Sequence, residues 1–193
     1  MNVSNNSAQT GHLYRRFSNR DQGQNSRQTI LTNLKWYISR EWPHSDVMKL
    51  TIFNPISNSP GSTVVQTDEE EIYRLLSSVP VELSSNNGLV KFIYLYSLTE
   101  TKEATYEVAQ FRTWLDIIAA IKTFYDQEIG EEEIRRINPR RADDLIYQLR
   151  VHLGRNTMKL SQVLDPGGGF SLSFNGIEIL GNGVYQPIIT YQG

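Results

Sequence analysis

The chain has 193 residues and no cysteine; 19 lysines and arginines stand against 21 aspartates and glutamates, for a net charge of −2. That length suits one domain, or a domain with a tail, whose core is large enough to hold without staples. The composition excludes disulfides, thiolate nucleophiles and cysteine-based zinc sites, and the slightly acidic balance excludes a surface that is basic throughout.

The first 28 residues, MNVSNNSAQTGHLYRRFSNRDQGQNSRQ, hold too few apolar side chains to offset the entropy of ordering them, which predicts a disordered arm. Arg15, Arg16, Arg20 and Arg27 against Asp21 alone give the arm +3, so contact with nucleic acid or an anionic membrane is expected there. His12, Leu13, Tyr14 and Phe17 lie among those arginines and are candidates for self-association, with the short HLY segment adding to a neighbour's surface. The arm lacks the apolar core of a secretory signal. The longest apolar run, Leu89 to Leu98, contains a lysine and is far shorter than the roughly 20 residues of a spanning helix. The expectation is a protein of a cytosol-like space, neither secreted nor transmembrane.

Residues 29–193 read as a single α+β domain, with a mixed or antiparallel sheet, three to five helices and a C-terminal β-meander. Ile30, Leu31, Leu34, Tyr37 and Ile38 fit a 3.6-residue period, which predicts a helix from Thr29 to Glu41 that ends near Trp42 before Pro43, although LKWYI suits the start of a strand equally well. VMKLTIF alternates as a half-buried strand does, and NPISNSPGST, with two prolines and a glycine, reads as a loop. Thr67 to Glu70 form a capping box, so a short helix runs to about Ser77. LVKFIYLYSL reads as a strand buried on much of both faces and ATYEVAQF as its hairpin partner.

Trp114, Ile117, Ile118, Ile121, Phe124 and Tyr125 form a helical stripe capped by Thr113. Gly130 opens a short helix with acids first and arginines later, up to Pro139. Ala142, Leu145, Ile146, Leu149 and Leu153 line another, with Gly154 as its C-terminal cap.

Gly167, Gly168 and Gly169 invite comparison with a phosphate-cradling loop. Such a loop opens a helix, whereas here Phe170, Leu172 and Phe174 alternate with Ser171 and Ser173 as a strand, and neither GK[ST] nor GxGxxG is present. Asn175-Gly176 predicts a hairpin turn, Gly181-Asn182-Gly183 a second one, and Pro187 an edge position for VYQPIITY.

No residue pattern selects a catalytic centre, a metal site or a cofactor. His12, His44 and His152 lack ligand-spaced neighbours, and the carboxylates at 68–71, 131–133 and 143–144 sit at predicted helix starts, where the helix dipole employs them. Trp36, Trp42 and Trp114 read as core or subunit-contact anchors. Arg135, Arg136, Arg140 and Arg141 are the main basic cluster of the domain. They are either a solvated face balancing nearby glutamates or a phosphate or headgroup contact acting with the arm.

The polar arm, a strand, a short helix, the long strand in NNGLVKFIYLYSLT and a compact mixed remainder together resemble the matrix proteins of rhabdoviruses, with a plant-infecting member as one reading. The resemblance spans residues 47–111 and rests on element order, with GLVKFIYL the nearest local likeness. A Pro-Pro-x-Tyr type motif and a lysine-rich arm, common in animal-virus members, have no counterpart here. The resemblance implies a non-enzymatic virion protein of the host cytoplasm that forms homo-oligomers, contacts nucleoprotein and the inner membrane face, and takes no small-molecule substrate. The alternative is a viral coat or RNA-binding protein whose arm and arginine cluster neutralise phosphates.

Overall fold

The computed structural model describes residues 29–38, 49–53, 60–65, 69–97, 99–165 and 172–191. They form an α+β unit around a seven-stranded mixed sheet. Its strands are β1 (Thr29–Tyr37), β2 (Lys49–Phe53), β3 (Pro60–Val65), β4 (Leu89–Leu95), β5 (Thr101–Glu107), β8 (Leu172–Gly181) and β9 (Val184–Tyr191), in the order β3-β2-β1-β8-β9-β4-β5. Every pairing is antiparallel except β4 with β9. The α-helices among the described residues are α1 (Glu69–Ser78), α2 (Trp114–Tyr125), α3 (Glu131–Ile137), α4 (Ala142–Tyr147) and α5 (Leu160–Leu164). A small second sheet pairs β6 (Glu128–Gly130) with β7 (Thr157–Lys159).

The segment expected to open the domain as a helix is a strand, β1, interior in the sheet between β2 and β8. Ile30, Leu31, Leu34, Trp36 and Ile38 are all buried; the even spacing of all but Leu31 suits a strand, while Ile30, Leu31, Leu34 and Ile38 suit a helix, so periodicity alone does not choose. Pairing with β2 on one side and β8 on the other decides between the two, because it satisfies backbone groups along both edges of the segment. Residues 39–48 lie outside the described part, as does the capping threonine at 67.

Pro60 to Thr63, read as loop, begin β3. This strand forms one end of the sheet, and a proline at the first residue of an edge strand withholds an N–H that the ladder does not need. The long strand β4 follows a one-sided pattern rather than burial on both faces. Val90, Phe92 and Tyr94 are buried, continuing to Tyr96 just past the strand, while Lys91, Ile93 and Leu95 are half-buried.

The C-terminal strands turn once, at Asn182 and Gly183. Asn175-Gly176 does not reverse the chain; it forms a bulge inside the continuous strand β8, where the β8–β9 register shifts between Phe174 and Ile177. Gly176 takes φ +139° and lies against the Leu31 carbonyl of β1, a closeness that leaves no room for a side chain. Pro187 stands in a strand that is interior in the sheet order, not at its edge. Its missing N–H is tolerated because the ladder with β4 ends at Phe92 and Tyr185, two residues earlier. Gly167, Gly168 and Gly169 lie outside the described residues.

The helix α2 packs its predicted stripe inward: Trp114, Ile117, Ile118, Ile121 and Tyr125 are buried, with Phe124 partly so. Asp116 completes the Thr113 cap by accepting the amides of Arg112 and Thr113, each at 2.8 Å. Between α2 and the sheet, Phe124 stacks on Tyr94 at 4.0 Å and Phe92 meets Phe111 and Tyr185, each at 5.6 Å. No described helix is long and apolar enough to cross a membrane.

Candidate functional site

The polar chemistry of the described domain gathers around α3 and α4, and most of it is paired. At the end of β4 the Tyr96 hydroxyl donates to Glu133 of α3. Lys102 of β5 reaches the same carboxylate at 3.2 Å and sits 3.4 Å above the Tyr96 ring. Arg136 bonds Glu133 at 3.2 Å and Glu100 at 2.9 Å. Two cations and two anions thus cancel around one phenol, and the knot fastens α3 to the β4–β5 hairpin. The Tyr96 hydroxyl, with Lys102 and Arg136, holds the Glu133 carboxyl below its ordinary range against the opposing effect of partial burial.

A group whose folded pKa is depressed stabilises above its unfolded pKa and loses that contribution as pH falls through the folded value. Glu133→Gln is therefore expected to be less stable than the parent at neutral pH, by below about 1 kcal/mol because the side chain is partly solvated. The gap should close on acidification below roughly pH 4. Urea titrations of both proteins across that range measure it, and a gap independent of pH would contradict the pairing.

The basic cluster divides. Arg135 pairs with Asp143 at 2.5 Å and Arg136 belongs to the knot, so this pair balances neighbouring carboxylates. Arg140 and Arg141 are exposed, and their side chains have no ion-pair partner among the described residues. Arg15, Arg16, Arg20 and Arg27, with His12, Leu13, Tyr14 and Phe17, lie outside the described residues. Trp36 and Trp114 are buried in the core. Among the described residues, no three acids or histidines come together as a metal site would require.

The features that sequence reading missed lie at the far end of α4. Ala142, Leu145, Ile146 and Leu149 are buried as expected, but the helix continues from Gln148 to Leu153 as a π-helix, its Gly154 N–H bonded back to the Leu149 carbonyl. The widened turn takes Leu153 off the stripe, where it had been placed as a core residue, and Gly154 closes the helix in the left-handed conformation, φ +60°. Tyr147, Val151 and Leu153 are 59%, 58% and 55% exposed. His152 sets its ring edge-on to Tyr147 at 5.9 Å, and Arg150 grips Glu131 with both ends of its guanidinium, Nε at 2.6 Å. Arg155 is exposed and has no ion pair among the described residues. One signal was available: Tyr147 and Val151, four residues apart, are apolar positions off the buried stripe.

Scans of family models, of curated proteins and of solved structures return no match to this chain.

Proposed function

We propose that the chain is a non-enzymatic structural protein, matrix-like in the sense its resemblance implies, that associates with copies of itself and contacts nucleoprotein or the inner face of a membrane. The observation that supports this reading is the end of α4 and its π-helical continuation, where three large apolar side chains, Tyr147, Val151 and Leu153, stand in solvent on one short segment. A cluster of that kind marks a contact surface far better than the same residues scattered singly. The sheet adds a second place for association: β5 pairs with β4 on one side, and its outer edge is open among the described residues, a template for a strand from another copy.

Sedimentation of the full chain over a range of concentrations tests the reading. Oligomers that grow with concentration, and that weaken when residues 1–28 are removed, are expected. A strict monomer at high concentration, indifferent to that removal, would overturn it. The second reading, a coat or RNA-binding protein, draws on exposed Arg140 and Arg141, and its mark is RNA affinity that falls steeply with salt.

A further inference from the structure

We infer that β5 is a two-fold dimer contact, pairing antiparallel with β5 of a second copy about Ala104. The inference rests on the proposed reading of a protein that associates with itself, and gives that association a surface, a symmetry and a register. The Val108 N–H donates to the Gly88 carbonyl at 2.8 Å and the Tyr96 N–H to the Glu100 carbonyl at 2.9 Å, so the even-numbered residues of β5 turn their backbone groups toward β4. By the alternation of an antiparallel ladder, the N–H and C=O groups of Thr101, Glu103, Thr105 and Glu107 point to the open edge. All four residues are exposed. Charges that keep such an edge from pairing are partly turned away: Lys102 is held by Glu133 and the Tyr96 ring, and Glu103 is drawn back to Lys91 at 2.7 Å.

The strand's own sequence, TKEATYE, selects both partner and register. Only residues with outward backbone groups can bond across the edge, so Thr101, Glu103, Thr105 and Glu107 must face one another in some order. Centred on Glu103, two copies set Glu103 against Glu103; centred on Thr105, they set Glu103 against Glu107. Like charges directly opposite disfavour both. Centred on Ala104, Thr101 faces the second copy's Glu107 and Glu103 faces its Thr105, while the small Ala104 side chains meet at the axis. That register alone overlaps the whole strand, and larger shifts leave less than half of it paired. RNA and lipid headgroups supply no alternating ladder of donors and acceptors, and the other edge of the sheet, β3, opens on Pro60 and Gly61, which weaken it as a template. The contact is isologous, so it closes at two copies, and larger assemblies need a second surface.

The chain has no cysteine, so a single introduced one reports on itself alone. Full-length Ala104→Cys is expected to give a disulfide-linked dimer on exposure to oxidised glutathione. Residue 104 alone in the strand faces its own counterpart, across a non-hydrogen-bonded pair with Cα atoms roughly 4.5 Å apart. Thr101→Cys would face Glu107 of the second copy and should link at least about 10-fold more slowly. In sedimentation of the full chain, Thr101→Lys, opposite Glu107, should tighten the dimer about 5-fold and Thr101→Glu should weaken it about 5-fold. Thr105→Pro removes an N–H that the β4 ladder does not use and should weaken it about 10-fold or more. Thermal melts matching the parent certify the comparison; if the proline variant does not fold, the Thr101 variants, at an exposed position, carry the test. Linking at 101 as fast as at 104, Thr101 variants that shift the dimer in one direction or not at all, or undiminished dimers of a folded Thr105→Pro would each overturn the inference. Oligomers that persist through those results leave the assembly reading standing on another surface, whereas a strict monomer at high concentration sinks both.

Discussion

Replacing Gly176 by alanine is expected to destabilise the protein by about 3–5 kcal/mol, the sum of a backbone conformation that side-chain-bearing residues avoid and a steric overlap inside a packed sheet. An added Cβ would stand 2.2 Å from the Leu31 carbonyl oxygen, which belongs to the interior strand β1 and cannot move without disturbing the pairing with both β2 and β8. The residue's φ of +139° adds strain that no rearrangement of neighbours relieves. Gly181→Ala is the matched control, because its Cβ would meet nothing within 4 Å; its effect should stay within about 1 kcal/mol. Thermal melts decide the matter. For a domain of this size the Gly176 variant should melt roughly 10 °C lower. A variant that melts like the parent would mean that β8 does not run against β1 in the register described.

Phe92→Ala should cost a similar amount, about 3–5 kcal/mol, by a different route. Phe92 is buried where β4, β5, β9 and the approach to α2 converge, with its ring within 6.0 Å, centre to centre, of Tyr94, Tyr106, Phe111 and Tyr185. Those four rings come from different parts of the chain, so they cannot all follow a collapse into the space left behind, and a cavity should persist. Phe92→Leu keeps most of the volume and should cost under about 2 kcal/mol. Urea unfolding of the three proteins measures the series. Equal stabilities for the alanine and leucine variants would show that the aromatic cluster does not carry the sheet–helix contact.

Both tests probe the scaffold that presents the proposed surface. The π-helical continuation of α4, Gln148–Leu153, is held by few anchors, chiefly buried Leu149 and the Arg150–Glu131 pair, while α3 is held by the knot around Tyr96. This arrangement separates roles along one helix: the first turns are packed into the core, and the last turn is available to a partner.

How much of this was legible in the residues differs from element to element. The helix α2 could be read because a cap, an apolar stripe and a helix-favouring period agree over 12 residues. Gly130 and Gly154 also announced their helix ends, since each occupies a terminus where local geometry suffices. The basic cluster was visible as composition, but which of its arginines are neutralised was not, because Asp143 and Glu100 reach them through folding.

The sequence by itself determined the α+β class, the strand–helix alternation through the middle of the chain, and the absence of thiol chemistry, because each depends on local periodicity, end signals or composition. Only the tertiary structure decided that β1 is a strand, that Asn175-Gly176 is a bulge, that Pro187 lies inside the sheet order, and that Leu153 faces water. Each of those outcomes depends on a neighbour distant in sequence: β8 alongside β1, the Leu31 carbonyl against Gly176, the point where β4 parts from β9, and a π turn that rotates one leucine off the stripe it would otherwise have joined. Backbone hydrogen bonds and close packing, settled between partners far apart along the chain, override what neighbouring residues prefer on their own.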